Sequence, residues 1–356
     1  MLLYLIAATA FWVLGRAFGL NARRRGSVIV SSYVTIVLLL IVLPMDHPFK
    51  LALGGTVAPW LLVGGGIGLI ALYRWGLGRL KSRISNQQEA EPVQDNVPND
   101  KFSSTELERY ARHIVLREIG GVGQKKIKKA KVLVIGAGGL GAPVLQYLGA
   151  AGLGTLGVID DDVVDNSNLQ RQIIHRDDDI GMPKVFSAKN AVEAQNPYVT
   201  VVPYNRRLTA DIAEELFADY DIIVDGSDNF ECRYVANKAA VALGKPLVSG
   251  ALSQWEGQVT IFDPKQGTPC YKCLFPTEPA AGIAPSCSEA GVFAPLPGVI
   301  GSMIAAEVLK LITHSGEPLR SNMLIYDSLY SETRKFAIRP RQGCDVCAAT
   351  QVQEGN

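Results

Sequence analysis

The sequence predicts an α/β protein: a Rossmann-like, mostly parallel sheet with flanking helices, stapled at its C-terminal part and preceded by N-terminal transmembrane α-helices. Three observations carry this reading. The chain opens with apolar segments almost free of acids, a glycine turn follows a buried strand at Lys131, and two C-x-x-C pairs lie far apart behind it.

The chain has 356 residues, room for two units at the usual ~100–200 residues per domain. A net charge of +1 and a sequence pI near 7.6 leave no charge excess that would mark a nucleic-acid partner. Mean hydropathy is +0.15 although 19% of residues are charged. The imbalance is local, because Asp46 is the sole carboxylate before Glu89.

Three apolar segments account for it: Leu2–Leu20, Ser27–Leu43 and Leu51–Tyr73. A helix needs ~20 apolar residues to cross ~30 Å of hydrocarbon. The third segment meets that, the second is at the short end, and the first requires Arg16 to snorkel to the interface. Arg23, Arg24 and Arg25 follow the first segment; Arg74, Arg79, Lys81 and Arg83 follow the third. Basic clusters favour the cytoplasmic side, and both reach it only with three spans, the N-terminus outside and everything after Tyr73 inside. The expectation is a multi-pass inner (cytoplasmic) membrane protein: transmembrane region 1–80, linker 81–102, a nucleotide-binding domain 103–350 in the cytoplasm, and a tail 351–356. The linker core, Ser85–Asp100, is polar and carries two prolines, a composition that packs poorly. A signal peptide with a buried helix pair fits less well, since no basic residue precedes Leu2.

After the linker, Ser103 and Glu106 offer caps for a helix through about Ile119. The stretch KVLVIGAGGLGAPVLQYLGAAG then reads as strand, glycine turn and helix. Val132–Ile135 is a continuous apolar run, as in a strand buried on both faces. Gly136, Gly138 and Gly141 fit G-x-G-x-x-G, a turn that brings phosphate to a helix N-terminus. A second strand, Leu156–Ile159, ends at Asp160, about twenty residues on, where a ribose-binding carboxylate belongs. This fingerprint predicts a nucleotide without separating NAD from ATP.

Asn168, Gln170 and Arg171 lie just beyond that strand, and Lys184 stands ahead of the next helical stretch. One arginine there also suits an NAD-dependent oxidoreductase. A short buried strand, Asp221–Asp225, then runs into Asp228 and Asn229. Cations for a triphosphate with a carboxylate for Mg²⁺ suit nucleotidyl transfer from ATP better than hydride transfer.

Cys270 and Cys273 stand in PCYKC, Cys344 and Cys347 in GCDVC. Together they supply the four thiolates of a closed, structural Zn²⁺ site, which ties the C-terminal end to the middle of the domain. A redox C-x-x-C is the competing reading. Cys232, in a helical stretch, reads as a small buried hydrophobe. Cys287, in GIAPSCSEAGV ahead of a helix start, is a candidate reactive thiol, because a helix N-terminus favours thiolate.

RYARHIVL, GAGGLG, DNSNLQRQ, MPK, DGSDN, SGA…EGQVTIF, CYKC, EAGVFAPLPGVIGS and CDVC occur in one order. This order resembles the MoeB/ThiF/HesA family, bacterial relatives of the ubiquitin-activating enzymes, over about Ser104–Ala348. Glu289–Ser302 is most similar to the molybdopterin-synthase adenylyltransferase branch. The resemblance implies ATP or Mg²⁺ contacts at Gly139, Asp160, Asn168, Arg171, Lys184 and Asp228. It also implies that Arg112 reaches the phosphates across a homodimer, whereas its own pattern reads as a solvated helix residue. Cys287 matches the position of an acyl- or sulfur-transfer cysteine in relatives. The implied reaction is adenylation of the C-terminal Gly-Gly of a ubiquitin-fold sulfur carrier in molybdenum cofactor biosynthesis, with the thiamine-pathway carrier as the alternative. No rhodanese-like segment follows Cys347, so a sulfurtransferase is expected to act in trans.

Overall fold

The computed structural model describes residues 2–17, 22–53, 56–66, 68–69, 72–74, 76, 101–278 and 290–348. Cys287 and the linker core Ser85–Asp100 lie outside them. The chain divides into two units, Met1–Asp95 and Asn96–Asn356.

The first unit holds α1 (Leu2–Ala17), α2 (Ala22–Val42), α3 (Pro48–Ala52) and helical residues 58–66, 68–69, 72–74 and 76. Within α2, Arg25–Val42 is long and apolar enough to cross a membrane. The third apolar segment differs from expectation, since it is not one helix from Leu51. Residues 53, 56 and 57 are non-helical, and the helix restarts at 58 with Pro59 in its first turn, where a missing N–H breaks no intrahelical bond. Aromatic side chains join the helices: the Tyr4 and Tyr33 rings lie 5.5 Å and 5.9 Å from that of Trp60. Arg25 sits 4.6 Å over the Trp12 ring.

In the second unit Ser103 and Glu106 form the expected capping box, the Glu106 N–H donating to Ser103 Oγ at 3.2 Å and the Ser103 N–H to Glu106 Oε2 at 2.9 Å. The single helix expected through Ile119 is instead two short pieces, α4 (Ser104–Arg109) and α5 (Ala111–Ile114), and a further helix, α6 (Gly120–Lys129), begins just beyond that span. The break at Tyr110 has a tertiary cause. Tyr110 turns inward, is 4% exposed, and its hydroxyl accepts from Asn196 Nδ2 at 2.9 Å.

The remaining elements are β1 (Lys131–Ile135), α7 (Gly141–Ala150), β2 (Thr155–Ile159), α8 (Lys184–Gln195), β3 (Thr200–Tyr204), α9 (Ala210–Ala218), β4 (Ile222–Asp225), α10 (Phe230–Leu243), β5 (Leu247–Leu252), β6 (Glu256–Phe262), α11 (Tyr271–Leu274), α12 (Pro295–Thr313), β7 (Asn322–Asp327) and β8 (Glu332–Ala337). They build one sheet of order β3-β2-β1-β4-β5-β6-β7-β8. The first five strands are parallel, and β6, β7 and β8 continue it antiparallel.

Alternation along the central strands sends side chains into two cores, because successive residues point to opposite faces. Val132, Val134, Leu156 and Val158 pack with Leu145 and Leu148 of α7 and Ile300 and Ile304 of α12. Leu133, Ile135, Ile159 and Ile223 pack with Phe217 of α9 and Ala236 of α10. Helices on both faces keep every central strand dry. The apolar α12 is also long and apolar enough to cross a membrane, but it is half buried in the first of these cores and is a core helix. Strand order reverses between β1 and β4, so the crevice for a ligand opens beyond their carboxyl ends.

Candidate functional site

A cavity of about 350 Å³ opens at that point, lined from the ends of four strands: Ile135, Ile159, Gly226–Asn229 and Leu252. Its floor is the glycine turn. Gly136 follows β1 with φ +90°, a left-handed geometry that suits glycine. A Cβ on Gly141 would stand 1.8 Å from the Gly136 carbonyl oxygen. Gly141 is therefore the close-contact residue of the turn and lies behind the cavity wall, while Gly136, Gly138 and Gly139 line it.

Asp160 closes β2 and braces the turn. Its Oδ2 accepts from the Ala137 N–H at 2.7 Å and its Oδ1 from the Asp162 N–H at 2.8 Å. Burial pushes its pKa up, against the pull of Lys184 and of those two N–H groups. Lys184 is the first residue of α8 and is buried, so its ammonium requires a partner. It donates to Asp162 Oδ2 at 2.7 Å. Arg171 lines the cavity and donates to the Ser167 carbonyl at 3.0 Å. Asp228 lines it from the turn after β4, exposed to solvent. Asn229 adjoins it, but its Oδ1 is committed to the Cys232 N–H at 2.9 Å as the cap of α10.

Besides Gly141, two expected residues lie outside the lining. Asn168 is outside the cavity lining, in a short 3₁₀ turn where its Nδ2 donates to Ser167 Oγ at 3.2 Å. Arg112 is exposed and borders a second cavity of about 500 Å³ with Arg109, His113, Tyr147 and Ser302.

The structure adds residues to which the sequence assigned no role, Gln172 at the end of the DNSNLQRQ motif and the rest outside the motifs. Gln172 lines the cavity at 5% exposure, and its Oε1 has no partner among the described residues. Arg206 and Arg207 line it from just beyond β3, Arg207 pairing with Glu231 at 3.0 Å. Arg233, buried in α10, donates to the Ser227 carbonyl at 2.7 Å. Asp161 and Asp162 join Asp160 in a carboxylate cluster. Only Arg206–Arg207 had a usable signal: two cations directly after an apolar strand stand at the ligand-bearing edge of such a sheet.

The four paired cysteines converge as expected. Sγ–Sγ separations are 3.8 Å (Cys270–Cys273), 3.7 Å (Cys270–Cys344) and 3.4 Å (Cys273–Cys347). Disulfide sulfurs stand ~2.05 Å apart, whereas four ligands at ~2.3 Å from one tetrahedral ion stand ~3.8 Å apart. All four are buried in a cluster of their own. Burial raises the Cys270 thiol to about 11. At Cys344 burial is outweighed by the backbone N–H groups of Val346 and Cys347, and the thiol falls to about 6. Four converging soft donors in a closed pocket fit a structural metal, which would lie there between α11 and the C-terminal turn. Cys232 is buried in α10 with its thiol pushed to about 12 by burial, an inert side chain.

A glycine turn at the switch point, several cations and a carboxylate cluster define a nucleotide-binding α/β protein built for a polyphosphate. The ThiF family model matches residues 110–346, and the chain belongs to the ThiF family. A sulfur carrier protein adenylyltransferase of Thermus thermophilus is 48% identical over 257 residues, 71% of this chain and 95% of that one. A SAMP-activating enzyme E1 of Haloferax volcanii is 45% identical over 246 residues, 69% of this chain and 90% of that one. Among solved structures, E. coli MccB with MccA-N7isoASN has a TM-score of 0.60 at 25% identity, covering 67% of this chain and 74% of that chain.

Proposed function

We propose that this chain is an ATP-dependent adenylyltransferase that activates the C-terminal glycine of a ubiquitin-fold sulfur carrier, of the molybdopterin-synthase small-subunit type. The observation that carries the reading is convergence. Gly138, Gly139, Arg171, Lys184 and Asp228 meet in one cavity at the switch point, in a chain of the ThiF family whose relative is named a sulfur carrier protein adenylyltransferase. The thiamine-pathway carrier is the second reading, and the carrier arm of the experiment separates the two.

The carrier carboxylate attacks the α-phosphorus of ATP. The bond between that phosphorus and the bridging oxygen breaks, pyrophosphate leaves with the electron pair, and an acyl-adenylate forms. Side chains supply little covalent chemistry here, so the work is placement and charge neutralisation. Arg171 and Lys184 face the developing charge, and Asp160 fixes the turn beneath it. Lys184 reaches phosphate by exchanging Asp162 for a more highly charged partner. The carboxylates of Asp228 and of the Asp160–Asp162 cluster are hard oxygen donors of the kind Mg²⁺ takes; they would hold the ion, which would supply charge neutralisation on the phosphates. Zn²⁺ belongs to the Cys270, Cys273, Cys344 and Cys347 pocket and holds the fold.

Three further parts complete the proposal. The chain works as a homodimer in which Arg112 serves the partner's cavity, since within one chain Arg112 borders a different cavity. A separate sulfurtransferase replaces AMP with sulfur, and Cys287 is the thiol open to that later step. The first unit anchors the enzyme in the cytoplasmic membrane with the second unit inside, where ATP is.

Carrier-dependent ATP–pyrophosphate exchange tests the reading with each purified carrier. Exchange is expected with the wild-type chain, Asp228→Ala should abolish it, and Cys287→Ala should spare it. No exchange by the wild type with either carrier overturns the assignment.

A further inference from the structure

His175 is a buried titratable residue, 6% exposed, that the chemistry above leaves unused. Its ring stands behind the glycine turn. Nε2 lies 2.9 Å from the Ala137 carbonyl oxygen, and Nδ1 lies 2.7 Å from Ser187 Oγ, one turn along α8 from Lys184. On its other side the same Ala137 residue donates its N–H to Asp160 at 2.7 Å. We propose that His175 is a positioning residue, which pins the Ala137–Gly138 peptide so that the Gly138 N–H faces the nucleotide phosphates and ties that peptide to the Lys184 helix. The inference rests on the adenylation reading and deepens it.

The argument is geometric. A carbonyl oxygen only accepts, so Nε2 must carry the proton that it shares with Ala137. In a planar trans peptide the C=O and the next N–H point in opposite directions. Holding the Ala137 carbonyl back on His175 therefore directs the Gly138 N–H away from His175, and Gly138 lines the cavity. Among the described residues no backbone acceptor takes that N–H, so it is a free donor for an anion. Released, the peptide can rotate and turn its carbonyl oxygen on the phosphates, replacing attraction with repulsion.

The ring is held in turn. Nδ1 stands 2.7 Å from Ser187 Oγ, and the Ser187 hydroxyl in turn donates its proton to Asp179 Oδ2 at 2.7 Å. Burial keeps the ring's pKa below its ordinary value, opposed by the hydrogen bond to Ala137 and by Asp179 and aided by Lys184. The two phosphate-binding elements, glycine turn and α8, thus meet through one side chain.

The test uses the full-length protein, with ATP binding measured by equilibrium dialysis without carrier and exchange kinetics measured with it. His175→Leu removes the donor and should weaken ATP binding roughly tenfold or more, as KM for ATP, with KM for the carrier unchanged. His175→Gln keeps a donor for Ala137 and a second polar atom beside Ser187, and should return ATP binding to within about threefold of wild type. Ser187→Ala should give a loss between the two, and it decides the matter together with His175→Gln if His175→Leu does not fold. A folded His175→Leu with wild-type ATP affinity overturns the inference, as does His175→Gln no better than His175→Leu. If His175→Leu fails to fold, a Ser187→Ala protein indistinguishable from wild type overturns it too. Wild-type protein that neither binds ATP nor exchanges pyrophosphate would instead overturn the adenylation reading itself.

Discussion

Gly141→Ala is the sharpest test of how the glycine turn is built. A Cβ there would lie 1.8 Å from the Gly136 carbonyl oxygen and 2.8 Å from its carbon, where real Cβ contacts below 3.0 Å are essentially absent. Relief requires the turn to open by about 1 Å, and overpacking of this kind costs roughly 1–3 kcal/mol. Gly136 resists the adjustment, since its φ of +90° is set by the entry from β1. At ~2–4 °C per kcal/mol for a domain of this size, the melting temperature should fall by about 2–12 °C. Displacing phosphate donors by 1 Å should also lower kcat/KM for ATP by about a hundredfold. Gly138→Ala is the matched control, because its nearest neighbour would be Gln172 Nε2 at 3.6 Å, an ordinary contact. That variant should melt within about 2 °C of wild type while raising KM for ATP, because its methyl group adds bulk to a residue lining the cavity. Thermal melts followed by circular dichroism and exchange kinetics on both variants give the readout. A Gly141→Ala protein with wild-type melting temperature and wild-type ATP kinetics would refute the close-packed turn.

Three other outcomes follow from the same geometry. Cys344→Ser should lower bound zinc, measured by elemental analysis, and cost the second unit several degrees of thermal stability; unchanged zinc content would point the metal elsewhere. Mixing Arg112→Ala with Asp228→Ala chains should restore part of the exchange activity, because one cavity in each mixed dimer is then intact; persistent inactivity would count against a shared arginine. Reporter fusions after Asp46 and after Arg83 should read outside and inside respectively, and an external reporter after Arg83 would overturn the topology.

Much of the site was legible because its chemistry is written locally. The capping box at Ser103 and Glu106, the glycine turn, Asp160 at the end of β2 and Lys184 at the start of α8 each follow from short-range geometry. The paired cysteines were legible for a different reason, since two C-x-x-C pairs offer the ligands of a four-thiolate site wherever the chain brings them from. What stayed hidden depended on contacts between distant segments. Gln172 and His175 belong to an irregular stretch without periodicity, and nothing local marks them as buried against the glycine turn. Tyr110 ended a helix early for the same reason, its hydroxyl meeting Asn196 from far along the chain.

By itself the sequence determined the class of fold, the nucleotide fingerprint and the donor types, because strand burial, turn geometry and ligand chemistry act over a few residues. Only the tertiary structure decided which of those donors share one cavity. It moved Gly141 behind the wall, set Asn168 outside the lining and Arg112 on another cavity, and brought Arg206, Arg233 and Gln172 to the ligand edge. The physical reason is that a side chain's neighbours are set by strand order and helix packing. Both are settled by burying apolar surface over the whole domain, and no short motif records the result.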